Sequence, residues 1–85
     1  MKIVFTRSAE KSLDRLAADR RRQIVARLEA VAAESHSRRL HVEPLAGSDL
    51  SRLRVGSYRV LFTIDEAEGV MKVELIRTRG DVDKR

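Results

Sequence analysis

The stretch Leu45–Phe62, LAGSDLSRLRVGSYRVLF, predicts two β-strands joined by a tight turn. Its second half is rich in the β-branched and aromatic residues that strands favour, and Gly56-Ser57 supplies the reversal. Arginines at positions 52, 54 and 59 are unusual, because a strand pair has no structural need for cations so close together. Guanidinium groups bind phosphate oxygens through paired hydrogen bonds, so the pattern favours a phosphate-binding surface.

Composition narrows the class of protein. A chain of 85 residues predicts a single domain over residues 1–85. Its 18 basic and 13 acidic residues give a net charge of +5, which favours a polyanionic partner over a merely solvated basic surface. With no cysteine and two histidines, we expect no disulfide, metal site or cofactor. Without a long apolar run or a signal core, we expect a soluble, cytoplasmic protein with no membrane partner.

Hydrophobic periodicity predicts the elements on either side of the arginine strands. Apolar residues at helical spacing indicate one helix from Ala9, capped by Ser8, and a second capped by Asp19 and ending near Glu34. The remaining apolar and alternating segments indicate strands, at residues 2–5, 50–55, 58–65 and 70–78. Residues 35–46 are expected to form a polar connection, and residues 65–69 a turn in which Gly69 takes a positive φ.

The resulting order, β-α-α-β-β-β, predicts an α+β fold. We expect a helical hairpin packed on one face of a mainly antiparallel, four-stranded sheet. The first strand must pair within that sheet, and the position beside the last strand is the expected one.

Arginines recur along the three C-terminal strands of this predicted sheet. Strand alternation places Arg52 and Arg54 on one face of their strand, and Arg77 and Arg79 on one face of theirs. If these side chains and Arg59 converge on the face away from the helices, they form a cationic groove. For any single arginine, solvation or pairing with a nearby carboxylate is the simpler interpretation.

Three further side chains are candidates for chemistry. Tyr58 can stack on a base, but it shares its strand parity with Val60, which favours packing in the sheet. His36 and His41 are the groups that titrate near neutral pH. Both fall in the polar connection, where solvation is the simpler role, and His41 is the better catalytic candidate because it precedes the arginine strands.

Two segments of the chain resemble the RelE/ParE superfamily of bacterial toxin–antitoxin toxins. Residues 45–60 are similar to that superfamily's arginine–glycine–tyrosine–arginine hairpin, and residues 76–82, IRTRGDV, to its last strand. The resemblance extends over essentially the whole chain, and its short helical hairpin looks more like the RelE branch. It implies a ribosome-dependent mRNA endoribonuclease, in which the RNA 2′-hydroxyl attacks the adjacent phosphate.

The resemblance also implies roles for individual residues. By motif position Arg59, Arg79 and Arg54 are the catalytic candidates, while Arg52, Arg77 and Tyr58 are the RNA-binding candidates. Two positions depart from the family pattern: Leu50 stands where some members have lysine, and Asp83 where many have tyrosine. The proton acceptor stays open among His41, Asp81 and Asp83.

Two other functions remain compatible with the sequence. One is a ParE-like inhibitor of DNA gyrase, which binds without chemistry. The other is a catalytically weak homologue that acts through antitoxin binding and operon autoregulation. The resemblance implies an acidic antitoxin as partner in each case, in a toxin–antitoxin hetero-oligomer, together with the ribosome and mRNA for the nuclease.

Overall fold

In the computed structural model, which describes residues 1–33 and 42–78, a sheet carries two helices on one face. The chain runs through β1 (Lys2–Phe5), α1 (Arg7–Asp14), α2 (Ala18–Ala33), β2 (Val42–Pro44), β3 (Ser51–Val55), β4 (Tyr58–Asp65) and β5 (Val70–Thr78). The five strands lie in the order β1-β5-β4-β3-β2. The pairing of β1 with β5 is parallel, and the other three pairings are antiparallel.

The predicted α+β class is therefore confirmed, as is the place of β1 beside β5. The strand count of four was wrong, because Val42–Pro44 pairs with Ser51–Leu53 and adds an edge strand. The sequence pattern predicts this segment as part of the polar connection. Three residues are too few to show an alternating pattern, although the residue before a proline prefers the extended backbone that β2 requires.

Helix α1 begins two residues earlier than predicted. Its N-cap is Thr6, whose hydroxyl accepts a hydrogen bond from the Ala9 amide at 3.1 Å. The same hydroxyl donates to the Glu74 carbonyl at 2.8 Å, so it also fastens the start of α1 to β5. Ser8 lies inside the helix, which corrects its assignment as the cap.

The start of α2 also differs from the prediction, since the helix begins at Ala18 and Asp19 lies in its first turn. Arg21, in a basic run that disfavours a helix start, has a structural role. It donates to the carbonyls of Leu13 and Leu16, at 3.3 and 3.4 Å. The Leu13 carbonyl lies in the last turn of α1, where a cation is favourable, and Leu16 lies in the link that follows.

The core lies between the helices and the sheet. From α1 and α2 it takes Ala9, Leu13, Ile24, Leu28 and Val31, and from the strands Leu53, Val55, Val60, Phe62, Met71, Val73 and Ile76. Every second residue of β3 and β4 points into this core, so the residues between them lie on the opposite, open face. The turn after β4 is as predicted: the Gly69 amide donates to the Asp65 carbonyl, and Gly69 has φ of 68°. Neither helix in the described ranges is long and apolar enough to cross a membrane.

Candidate phosphate-binding face

Arginines from three adjacent strands form a row across the open face. Arg54 of β3 is paired with Arg59 of β4, and Arg59 is paired in turn with Arg77 of β5. Their neighbours Val55, Val60 and Ile76 are buried in the core, which places the three arginines on the other side of the sheet. Because adjacent strands lie about 4.8 Å apart, the backbone positions of the row span roughly 10 Å. We call these three residues the arginine row.

The arginine row forms no ion pair in the described part of the chain, although the charge of Arg54 contributes to lowering the pKa of the nearby Glu43. Within residues 1–33 and 42–78, no ion pair joins Arg54, Arg59 or Arg77 to an acidic side chain. Like charges directly opposite each other in a sheet are destabilising. The interpretation of each arginine as an ion-paired strand residue is therefore not supported for this row, and an anionic ligand would supply the missing counter-charge.

Arg52 differs from the row because it has a partner. Its Nη2 lies 2.6 Å from Oε1 of Glu43, the residue opposite it on β2. The hydrogen bond from Arg52, and then its charge, lower the pKa of Glu43 below its usual 4.5. The two side chains are 30% and 60% exposed, so solvent weakens the attraction and an incoming phosphate could displace the carboxylate.

The open face is apolar next to the arginine row. On this face of β4 and β5, the next pair after Arg59–Arg77 is Leu61–Leu75, and both leucines are half-buried. Glu74, beside Leu75, is left out of the pairing by an irregularity between Leu61 and Phe62. Positive charge is therefore concentrated at the end of the face near the β3–β4 turn.

The structure brings together four of the six predicted site residues on one face: Arg52, Arg54, Arg59 and Arg77. Tyr58 packs against the core on the helical face, but it also lines a small cavity at the β3–β4 turn together with Arg54 and Arg59. Arg79 lies outside the described residues, as do His36, His41, Asp81 and Asp83. The functional roles given to all of these residues stay predictions.

Residues 3–82 match the sequence family described as the ParE toxin of type II toxin–antitoxin systems, parDE. The chain belongs to this family. It is thus a type II toxin of the RelE/ParE superfamily, which confirms the resemblance noted in the sequence. Among curated proteins, none matches the sequence of this toxin.

Solved structures with the same fold include several RelE toxins. The chain is similar to RelE in the RelE–RelB complex of Pyrococcus horikoshii, with 25% identity, a TM-score of 0.79, and 93% and 94% of the two chains covered. The RelBE complex of Escherichia coli has 20% identity and a TM-score of 0.76, with 91% of this chain and 94% of that chain covered. The YoeB/ParE toxin of Agrobacterium tumefaciens has 19% identity and a TM-score of 0.78, with 92% of this chain and 98% of that chain covered. The last two show the fold alone.

One residue of this toxin's open face was not anticipated from the sequence. The sequence does not single out Glu43, because its segment is predicted as a loop, where a carboxylate has no fixed direction. Pro44 was the available signal: it favours an extended Glu43, which could have suggested a strand opposite Arg52.

Proposed function

We propose that this toxin is a ribosome-dependent endoribonuclease that cleaves mRNA. The observation that supports the proposal best is the arginine row, in which Arg54, Arg59 and Arg77 lie side by side on an open face and form no ion pair with a carboxylate of residues 1–33 or 42–78. Three arginines whose backbone positions span roughly 10 Å suit the backbone of a single RNA strand.

The reaction is a transesterification within the RNA. The 2′-oxygen forms a bond to the adjacent phosphorus, and the bond from phosphorus to the 5′-oxygen of the next nucleotide breaks. The 2′-hydroxyl proton passes to a base, and the leaving 5′-oxygen takes up a proton. The products are a 2′,3′-cyclic phosphate and a 5′-hydroxyl, with no oxidant or cofactor consumed.

Within this reaction the arginines stabilise charge. Negative charge grows on the phosphoryl oxygens as the 2′-oxygen attacks, and fixed guanidinium donors favour that state over the ground state. Arg59 is the central member of the row and has an arginine opposite it on both sides. We therefore assign it the main contact with the scissile phosphate, with Arg54 and Arg79 as further catalytic candidates and Arg52 and Arg77 holding flanking phosphates.

The proton acceptor is a separate question. The carboxylate of Glu43 lies beside the arginines, but the lowered pKa of Glu43 makes it a weaker base than an isolated glutamate. His41, Asp81 and Asp83 stay the candidates for this role. We propose that electrostatic stabilisation by the arginine row contributes more to the rate of cleavage than the strength of the general base does.

An acidic antitoxin is the proposed protein partner. The RelE relatives from P. horikoshii and E. coli were solved as complexes with RelB. An antitoxin segment with carboxylates could neutralise the arginine row by charge complementarity, and binding would stabilise the folded toxin by mass action.

The test is primer extension on a translated mRNA in a purified translation system. We expect cuts within codons when ribosomes translate and the wild-type toxin is present, and none when ribosomes are left out. Arg59→Ala should abolish the cuts, whereas Arg22→Ala, which removes an equal charge from an exposed position on α2, should not. Wild-type cutting by a folded Arg59→Ala protein would refute the assignment.

A second function is favoured by a specific observation, the match of residues 3–82 to the ParE toxin family. Under this alternative the toxin inhibits DNA gyrase by binding it. A supercoiling assay with purified gyrase separates the two functions. Inhibition of supercoiling without mRNA cleavage would select the gyrase inhibitor, and the absence of both would select a weak homologue that acts through its antitoxin.

A further inference from the structure

A cleft of about 200 Å³ opens on the helical face, at the end of the sheet where β4 begins and β5 ends. It is lined by Ser12, Arg15, Leu16, Tyr58, Ile76 and Thr78. The cleft and the arginine row lie at the same end of the molecule. Tyr58 is paired with Thr78, and the next pair inward is Arg59–Arg77, whose side chains point to the opposite face.

Tyr58 is more exposed than its role in the core requires. Val60 and Phe62, on the same side of β4, are completely buried, whereas Tyr58 is half-buried and lines the cleft. Part of the tyrosine side chain therefore remains accessible from solvent. Packing in the core explains only the covered part.

The other lining residues define the chemistry of the cleft. Leu16 and Ile76 supply apolar walls, the Arg15 side chain supplies donors at the solvent side, and Ser12 adds a hydroxyl. None of the six lining residues is acidic. An aromatic ring beside a guanidinium group is a combination that binds nucleobases, since the base can stack on either group and accept hydrogen bonds at its edge.

The size of the cleft supports the same class of ligand. Pockets for drug-sized molecules typically have volumes of roughly 300–1,000 Å³. A cleft of about 200 Å³ is smaller and suits one planar heterocycle rather than a folded ligand or a peptide segment.

We propose that this cleft is a nucleobase subsite for the RNA whose phosphates contact the arginine row. The inference rests on the proposed nuclease function for the identity of the ligand. A nucleotide at the end of the sheet places its phosphate on the Arg59–Arg77 side and turns its base over the end of β4 towards Tyr58. Tyr58 and Arg15 then hold the base, and Tyr58 has the predicted RNA-binding role from the helical face rather than from the arginine face.

The test is an NMR titration of the free protein with the four nucleoside 5′-monophosphates, and separately with ribose 5-phosphate, which lacks the base. We expect the amides of Ser12, Leu16 and Tyr58 to shift with the nucleotides and not with ribose 5-phosphate. Arg15→Ala should weaken nucleotide binding about twofold to fivefold, the range expected for loss of an exposed cation–π contact.

Two more variants keep the result interpretable. Tyr58→Leu removes the aromatic ring but retains apolar bulk, and its amide spectrum shows directly whether it folds. In the folded variant we expect the base-dependent shifts to disappear. Arg22→Ala is the matched charge control and should bind nucleotides like the wild type.

Equal shifts with ribose 5-phosphate, or unchanged nucleotide affinity in Arg15→Ala, would overturn the subsite. Neither readout needs a ribosome, so this failure is distinct from failure of the nuclease. If mRNA cleavage is absent while the base-dependent shifts persist, the nuclease proposal fails and the cleft remains a nucleotide site. If cleavage depends on Arg59 while Arg15→Ala binds nucleotides like the wild type, only the subsite fails.

Discussion

Arg54 lies directly opposite Arg59 across the β3–β4 pair, and no described carboxylate forms an ion pair with either side chain. Arg77 extends the same row from β5. In a small domain this arrangement opposes folding, since like charges face each other across two strand pairs. Departures from local rules of this kind are expected at functional sites. We therefore expect that removing a charge from the row raises the stability of the protein and lowers its activity.

For stability, we expect Arg59→Gln to raise the free energy of unfolding by about 0.2–1 kcal/mol, because it removes like-charge repulsion on both sides. Glutamine keeps most of the side-chain length. The measurement is urea unfolding at low salt, and added salt should reduce the gain because it screens exposed charges. Arg22→Gln on α2 is the control and should change stability less. A loss of stability in Arg59→Gln at low salt would contradict the repulsion argument.

For activity, we expect Arg59→Ala to lower the rate of mRNA cleavage by about 10²–10³, the usual effect of losing one fixed donor to a developing negative charge. Arg59→Lys should give an intermediate rate, because it keeps the charge but not the paired donors. Single-turnover cleavage on stalled ribosomes measures both variants. A lysine variant as fast as the wild type would show that charge alone matters at this position.

For β3 and β4, strand alternation was enough to predict which side chains lie on the open face and which on the core side. It separated Arg52 and Arg54 from the buried Leu53, and it placed Tyr58 with Val60 on the core side, as observed. It could not give the register between strands. That Arg54, Arg59 and Arg77 form one row depends on the turn and on hydrogen bonding between strands that are distant in sequence.

Two of the errors, the cap of α1 and the missing edge strand, have a different cause, since in both a tertiary contact overrides a short-range signal. Ser8 and Thr6 are both acceptable caps, and the contact of Thr6 with the Glu74 carbonyl of β5 accompanies its role as the cap. The edge strand containing Glu43 exists because β3 offers it hydrogen-bonding partners. Sequence alone shows neither contact.

The Glu43–Arg52 pair predicts a pH dependence of stability. The pKa of Glu43 is lowered in the folded state, so its ionised form favours folding above the ordinary pKa of 4.5. This contribution is lost as the pH falls through the lowered value. We therefore expect wild type to be more stable than Glu43→Gln at about pH 7, and the difference to shrink as the pH falls below the ordinary pKa of 4.5. Urea unfolding of both proteins across this range is the measurement, and a difference independent of pH would exclude the ion pair as its source.

Thr6 gives a prediction for the join between sheet and helix. Thr6→Ala removes the N-cap of α1 and the hydrogen bond to the Glu74 carbonyl, so we expect a loss of about 1–2 kcal/mol in the free energy of unfolding. Thr6→Ser should retain most of the stability because serine keeps the hydroxyl. Ser8→Ala is the matched control, since sequence alone favoured Ser8 as the cap, and it should change stability little. Urea unfolding compares the three variants, and faster hydrogen exchange at the Ala9 amide in Thr6→Ala would locate the effect. If Ser8→Ala destabilised the protein as much as Thr6→Ala, the cap assignment would be wrong.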